Sequence, residues 1–464
     1  MISLSLHDIA EAVGGRLIGG DLQVTGSVET DSRLVQKGSL FVCKPGEETD
    51  GHLFAQEALD AGAVALMVER ELDVDAPQVL VADAVLALGR LAADVLRRVR
   101  SVSELRVVGI TGSNGKTSTK NMLRAILSKV GNTVAPIESY NNEVGAPISI
   151  LKIDEATKFL VVEMGAGGVG SIQYLAKIAK PDIGVVLKVG LAHAGEFGGI
   201  ESTFKIKSEL VTALSPDATF VYNADDPYVS QMVELTTARA IPFGTVDEAE
   251  YQIESPRVSI AGTSATLHLP KDRKFEITLK ILGEHQLMNA IASIAVAEQL
   301  GVGPEVSISA LEELELAERW RMQLTTRPDG VHVINDAYNA SPDSMKAALQ
   351  TLAQLGRQGH RTIAVLGEMA ELGEYSATEH DSMGRLAVRL GIDQVVVVGQ
   401  RAKLIHMGAS QEGSWDGESK FFDEASEALV AVREMLEPGD VVLVKSSKSA
   451  NLRFLGDDLL EVSA

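Results

Sequence analysis

Residues 106–127 read RVVGITGSNGKTSTKNMLRAIL. A short apolar run ends in a glycine-bearing loop, and a helix follows at once. Met122, Leu123, Ile126, Leu127 and Val130 recur three and four apart, so one face of that helix is apolar, and Gly131 ends it. A strand, a loop and a helix N-terminus in this order make a phosphate cradle: backbone amides face the anion, and Lys116 adds a point charge. Thr117 stands where a hydroxyl can reach Mg2+. The usual spacing puts a glycine five residues before Gly115, but Ile110 occupies that place. The cradle is therefore Gly112, Ser113, Asn114, Gly115, Lys116 and Thr117, with Ser118 next. Such a loop marks a nucleotide site without saying what is done with the phosphate. A switch, a motor, a kinase and a ligase all use one.

The runs FLVVEM and IGVVLKV follow the loop in sequence. Near-continuous apolar runs are expected of strands buried on both faces of a parallel sheet. Ligands collect at the carboxyl ends of such strands. Glu163 ends the first run and His193 follows the second. If both strands neighbour the phosphate-loop strand, Thr117, Glu163 and His193 converge as Mg2+ partners, although an imidazole is an unusual ligand for so hard a cation. A second glycine pattern, GAGGVG at 165–170, matches a dinucleotide fingerprint literally. Its acidic partner should end the next strand, but Asp182 starts it. A tight strand–helix turn is the plainer reading.

A chain of 464 residues exceeds one hydrophobic core. A net charge of −22 disfavours nucleic acid and anionic membrane surfaces as partners. Cys43 is the single cysteine. It excludes an intramolecular disulfide, fits a reducing compartment, and sits in the apolar run SLFVC as a small core residue would. The first residues, MISLSLHDIAEAVGG, show no basic region followed by an apolar core, and no apolar run reaches membrane-spanning length. These features predict a cytoplasmic protein without stable membrane insertion.

The expected fold is α/β in three domains. Residues 1–100 form a smaller N-terminal α/β domain, with strands GSLFV and AVALMV and the helix VLALGRLAADVLRRV. Residues 101–317 form a central ATPase-like domain built on a parallel sheet and the phosphate loop. Residues 318–464 form a Rossmann-like C-terminal domain, entered through the turn-rich RPDG at 327–330. There the strands VHVIND, TIAVLG, QVVVVG and DVVLVK alternate with helices at 343–355, 377–390 and 424–436, which predicts helices on both faces of a sheet.

The segments GITGSNGKTST, EMGAG, GLAHAGEFG, YNADDP, GEHQLMNAIASIAVA and NDAYNASPDSMKAAL occur in an order that resembles the Mur ligases across essentially the whole chain. These are ATP-dependent amino-acid and peptide ligases of peptidoglycan precursor synthesis. Within the family, DAYNASPDSMKAAL points to the pairing of UDP-N-acetylmuramoyl-tripeptide with D-alanyl-D-alanine. The sister that adds the third residue usually has a histidine where Asn339 stands. A lysine- or diaminopimelate-adding sister, and a nucleotide-dependent switch with no ligation, are the alternatives.

The resemblance implies ATP as co-substrate, Mg2+, a monomeric architecture and a set of roles. Lys116, His193 and Lys207 serve catalysis. Thr117, Glu163, His193 and Lys207 hold the metal, Lys207 after its amine has become a carbamate; Lys205 is its nearby competitor. His285 and Asn289, four apart on one helical face, meet adenine. Arg321 reaches ATP from near the third domain, and Asp336 meets the ribose or helps place the phosphates. Ser32 and Arg33 meet the uridine nucleotide, Asn141 and Asn142 the muramoyl-peptide, and Tyr338, Asn339 and Ser341 the dipeptide. On residue chemistry alone, Arg33 reads as a surface arginine and the asparagines as turn formers. The chain departs from the family at Leu187-Lys188, where Thr-Asn is common, at Trp320, where glycine is usual, and at Lys448, which replaces an arginine.

Overall fold

The computed structural model describes residues 1–46, 49–136, 139–191, 195, 198–315, 318–413 and 417–461. The phosphate-loop strand, Arg106–Thr111, pairs in parallel with Phe159–Glu163 on one side and Ile183–Val186 on the other. All three are apolar and buried almost throughout, as a sheet covered on both faces requires. The sheet extends past Phe159–Glu163 to Thr133–Val134, and on the other side through Thr219–Asn223 and Arg239–Gly244. It ends in the meander Tyr251–Ser259, Gly262–Leu269 and Arg273–Leu279, whose last two pairings are antiparallel. That extension was not legible in the sequence, because its half-exposed strands mix charged and apolar residues.

One face of this sheet carries the helices Lys116–Leu127 and Glu284–Gln299. The second is buried nearly all round, and its alanines allow close packing. The first helix ends at Leu127, earlier than the sequence pattern predicts; Val130 lies beyond it and is partly exposed.

Residues 16–80 form a five-stranded sheet ordered Arg16–Ile18, Gln78–Leu80, Ala65–Val68, Leu40–Val42 and Val28–Glu29. Its first pair is antiparallel and the rest are parallel. The long helix Ala84–Val102 is capped by Asp83 and joins this sheet's core to that of the central sheet.

The third sheet runs Gln323–Thr326, His332–Asn335, Val441–Lys445, Thr362–Leu366, Gln394–Val398, Ser419–Phe422. Only the first pair is antiparallel. The RPDG segment is the turn of that hairpin, closed by Arg327 N–H to the Val331 carbonyl at 2.8 Å, so it lies inside the third unit and not at its entrance. The helices Pro342–Gly356, Ser376–Arg389 and Ala425–Met435 match the predicted ones to within two residues at each end, while helix Lys403–Glu412 and strand Ser419–Phe422 are additional. No described helix is long and apolar enough to cross a membrane.

Gly89 lies within Ala84–Val102 where the helix meets Tyr174 of the central unit, and a Cβ there would overlap the Tyr174 hydroxyl. Gly89→Ala is therefore expected to cost about 1–3 kcal/mol by overpacking. Differential scanning calorimetry should show a lowered melting temperature that Tyr174→Phe, added to Gly89→Ala, partly restores.

Candidate active site

The phosphate loop leaves its strand through Gly112 at φ 152° and enters its helix through Gly115 at φ 85°. Both angles lie in the region that favours glycine. A side chain at Gly115 would also collide with the Asn289 amide. The loop is buttressed from the next strand: Ser113 N–H donates to the Lys188 carbonyl at 2.8 Å, and Gly190 N–H to Ser113 Oγ at 2.9 Å. Lys116 Nζ folds back to the Gly112 carbonyl at 2.7 Å. Burial lowers the Lys116 pKa, opposed by Glu163 and reinforced by Arg321.

Parallel register places Glu163 opposite Ile110, one residue from the end of the phosphate-loop strand. Glu163 is 1% exposed. Its Oε1 accepts from Asn141 Nδ2 at 2.8 Å and from Thr117 Oγ1 at 3.3 Å, while Oε2 is buried with no hydrogen-bond partner among the described residues. Ser139, which the sequence reasoning missed, stands 3.4 Å from the Thr117 hydroxyl. His193 lies outside the described residues.

Lys207 is 2% exposed and lines the same cleft, whereas Lys205 on the same helix is exposed. Burial first, and then the Lys116 charge, hold the Lys207 ammonium well below its ordinary pKa. The neutral amine is thereby favoured more than at a surface lysine. Glu209, two residues on, donates nothing but accepts from Gly170 N–H at 2.6 Å and Gln173 N–H at 3.0 Å. The helix after GAGGVG thus has its N-terminus covered by a carboxylate of the chain itself, which agrees with a structural turn there.

The opposite wall comes from the third unit. Arg321 stacks on Tyr338 at 4.4 Å, Lys448 approaches the same ring at 5.5 Å, and Arg321 Nε is buried without a partner among the described residues. Trp320 has φ 58°, so the position where glycine is usual keeps a left-handed backbone. Asp457 holds its indole N–H at 3.0 Å. Asp336 accepts from Lys445 Nζ at 2.5 Å and from Met322 N–H at 3.0 Å. Lys445 also donates to the Asn339 carbonyl at 3.1 Å. Ser341 caps helix Pro342–Gly356 and donates to Asn114 Oδ1 at 3.1 Å.

His285 and Asn289 both reach the cleft from the start of their helix. The Asn289 amide accepts from Thr119 Oγ1 at 3.3 Å and donates to Gln286 at 3.0 Å. Burial holds the His285 imidazolium down to a pKa of about 4, with Lys445 and Lys188 adding to the effect and Asp336 opposing it.

The resulting cleft has a volume of about 370 Å³. Lys116, Lys188, Lys207, Arg321 and Lys445 line it and outnumber Glu163, Asp336 and Asp343, so a strongly acidic chain presents a cationic interior here. Three buried orphan atoms belong to its lining, Glu163 Oε2, Asn114 Nδ2 and Arg321 Nε. Each unpaired group costs about 1–3 kcal/mol, which a bound polar ligand offsets. The other predicted residues lie elsewhere. Asn142 is exposed and uses its carbonyl to accept from Gly145 N–H at 2.8 Å. Ser32 and Arg33 sit on a turn of the first unit, Ser32 bonded to Glu57 at 3.1 Å and Arg33 paired with Asp31 at 2.6 Å. Neither lines the cleft.

Residues 25–98 match the Mur ligase family catalytic domain, 110–297 the Mur ligase middle domain, and 320–448 the Mur ligase, glutamate ligase domain. The chain is 41% identical to the UDP-N-acetylmuramoyl-tripeptide--D-alanyl-D-alanine ligase of Mycobacterium leprae, with 99% of each chain covered. The crystal structure of MurF from Acinetobacter baumannii superimposes with a TM-score of 0.90 at 30% identity, covering 99% of both chains. That of MurF ligase from Thermotoga maritima in complex with ADP gives 0.82 at 29% identity, covering 94% of this chain and 97% of that one.

The depressed His285 pKa fixes a sign. The unfolded chain takes up this proton below pH 6.5 and the folded chain only near 4. The neutral ring's contribution is complete above 6.5 and is lost as pH falls through that window. His285→Gln is expected to flatten the fall of melting temperature between pH 6.5 and 4 relative to the parent; equal slopes in calorimetry would refute the burial of this ring.

Proposed function

This chain belongs to the Mur ligase family, and we propose that its cleft joins D-alanyl-D-alanine to UDP-N-acetylmuramoyl-tripeptide at the expense of ATP, in peptidoglycan precursor synthesis. The observation that carries the proposal is the meeting of a phosphate loop with the buried, half-unpaired Glu163 in one cationic cleft that the third unit closes.

A carboxylate is a poor electrophile, because amine attack would have to expel oxide. In the proposed reaction a tripeptide carboxylate oxygen attacks the γ-phosphorus of ATP, and ADP departs with the bonding pair. The acyl phosphate then meets the neutral amine of the dipeptide. A tetrahedral oxyanion forms and collapses, phosphate leaves with the C–O pair, and the nitrogen loses a proton. Both steps gather negative charge, so prepositioned cations matter most. Lys116 exchanges its contact with the Gly112 carbonyl for the phosphates, and Arg321 faces them from the third unit.

Mg2+ takes oxygen ligands and keeps water. Thr117 and the free Glu163 oxygen fit it, and among the described residues no three His, Cys, Asp or Glu side chains gather to hold a metal by themselves. Bound there with the nucleotide, Mg2+ supplies charge neutralisation at the transferred phosphoryl group. His193 belongs to the proposed ligand set. The neutral Lys207 amine is the form that adds CO2: an N–C bond forms, a C=O bond becomes C–O−, and a proton leaves. The product is an anion beside Lys116, where the ammonium would be repelled.

The division of labour at 1–100, 101–317 and 318–464 follows: the first unit takes the uridine nucleotide through Ser32 and Arg33, the second ATP, and the third the dipeptide beside Tyr338, Asn339 and Ser341. Asn141 orients Glu163, and Asn142 shapes the adjoining turn. Asp336 positions Lys445 and the Met322 amide. We place the enzyme in the cytoplasm, as a monomer.

Phosphate release should require both UDP-N-acetylmuramoyl-tripeptide and D-alanyl-D-alanine; slow hydrolysis indifferent to both would indicate a switch. In a panel of amines, lysine, diaminopimelate and glutamate should fail. Oxygen-18 in the tripeptide carboxyl should appear in the phosphate, and its absence would sink the acyl-phosphate route. Lys116→Ala should lower turnover by at least about 10²-fold, the scale of losing one preorganised charge at a transition state, with the melting temperature kept.

A further inference from the structure

We infer that Lys188 and Asp343 are positioning residues that hold the third unit closed over the phosphate loop. The inference rests on reading the cleft as an ATP site. Lys188 follows strand Ile183–Val186, and its carbonyl accepts the Ser113 amide of the loop at 2.8 Å. Its side chain crosses the cleft, where Nζ meets Asp343 Oδ1 at 2.8 Å. Asp343 lies in the first turn of helix Pro342–Gly356.

Two further contacts fall on the same patch. Ser341, the cap of that helix, donates to Asn114 in the loop at 3.1 Å. Asp343 also packs so closely on Gly190 that any side chain there would overlap its carboxylate. Ion pair, hydrogen bond and close approach thus bind one helix N-terminus to one loop. Arg321 reaches the nucleotide only while that contact holds its unit in place.

Lys188 stands where the family resemblance expects asparagine, and here it brings a charge to the cleft. Its side chain is 42% exposed and that of Asp343 27%, which makes the pair open to screening. Its modest strength suits a latch that must release product. A tighter pair would slow reopening, and none would leave closure to the nucleotide alone.

The full-length chain carrying Lys188→Met, Asp343→Asn, both changes, or Lys188→Arg tests this. Small-angle scattering reports closure, and calorimetry reports the affinity for ATP with Mg2+; neither depends on which amine is ligated. Each neutral single variant should expand the chain and weaken ATP by about two- to fivefold. The double variant should be no worse than either single one, and Lys188→Arg should match the parent. Raising ionic strength should open the parent but not the double variant, a comparison that stands even if a single variant misfolds. Unchanged scattering in the single variants would overturn the inference. So would additive losses, which would mean that Lys188 acts on the nucleotide directly. ATP binding with this latch pattern but no ligation would leave the latch standing and remove the proposed reaction instead.

Discussion

The parallel pairing of Arg106–Thr111 with its two neighbours is the constraint from which the cleft is built. Parallel strands bring their carboxyl ends to one edge, and whatever follows each strand must meet there. A one-residue slip between Phe159–Glu163 and the phosphate-loop strand would turn Glu163 to the other face of the sheet. The Thr117 hydroxyl would then lose its carboxylate, and Asn141 its acceptor. The apolar residues on both faces hold that register, because any slip would also move charged neighbours into the core.

Burial does more to the chemistry than charge count does. The chain is strongly acidic, yet the cleft is lined mainly by cations. Those cations are crowded and partly dry, so Lys116 and Lys207 both favour their neutral forms more than a surface lysine would. An entering polyanion reverses that balance, since each phosphate charge stabilises the ammonium beside it. The free site is poised against its own charges, and the nucleotide relieves them. The orphan atoms of Glu163, Asn114 and Arg321 express the same tension in hydrogen bonds.

The third unit enters this economy through a few contacts at the mouth of the loop. Trp320 shows how a local rule can be overridden: a bulky residue accepts a left-handed backbone because Asp457, Arg319 and Phe454 hold its ring. The backbone shape that glycine allows elsewhere is here imposed by packing. Arg321, the next residue, can therefore point into the cleft without glycine beside it.

Much was legible in order along the chain. The loop and its helix start, the buried parallel strands, the alternation of the third unit and the candidates Lys116, Thr117 and Glu163 all follow from short-range patterns of apolar period, glycine and charge, whereas Lys207 entered only through the family resemblance. Such patterns are local, and they survive in one dimension. What they do not carry is which remote groups share a contact. Tertiary structure alone buried Lys207 and left Lys205 exposed, covered the GAGGVG helix with Glu209, and moved RPDG into a hairpin. It likewise joined Lys188 to Asp343 across more than a hundred residues. Burial and partner choice depend on how whole units pack, and no window of sequence contains that information.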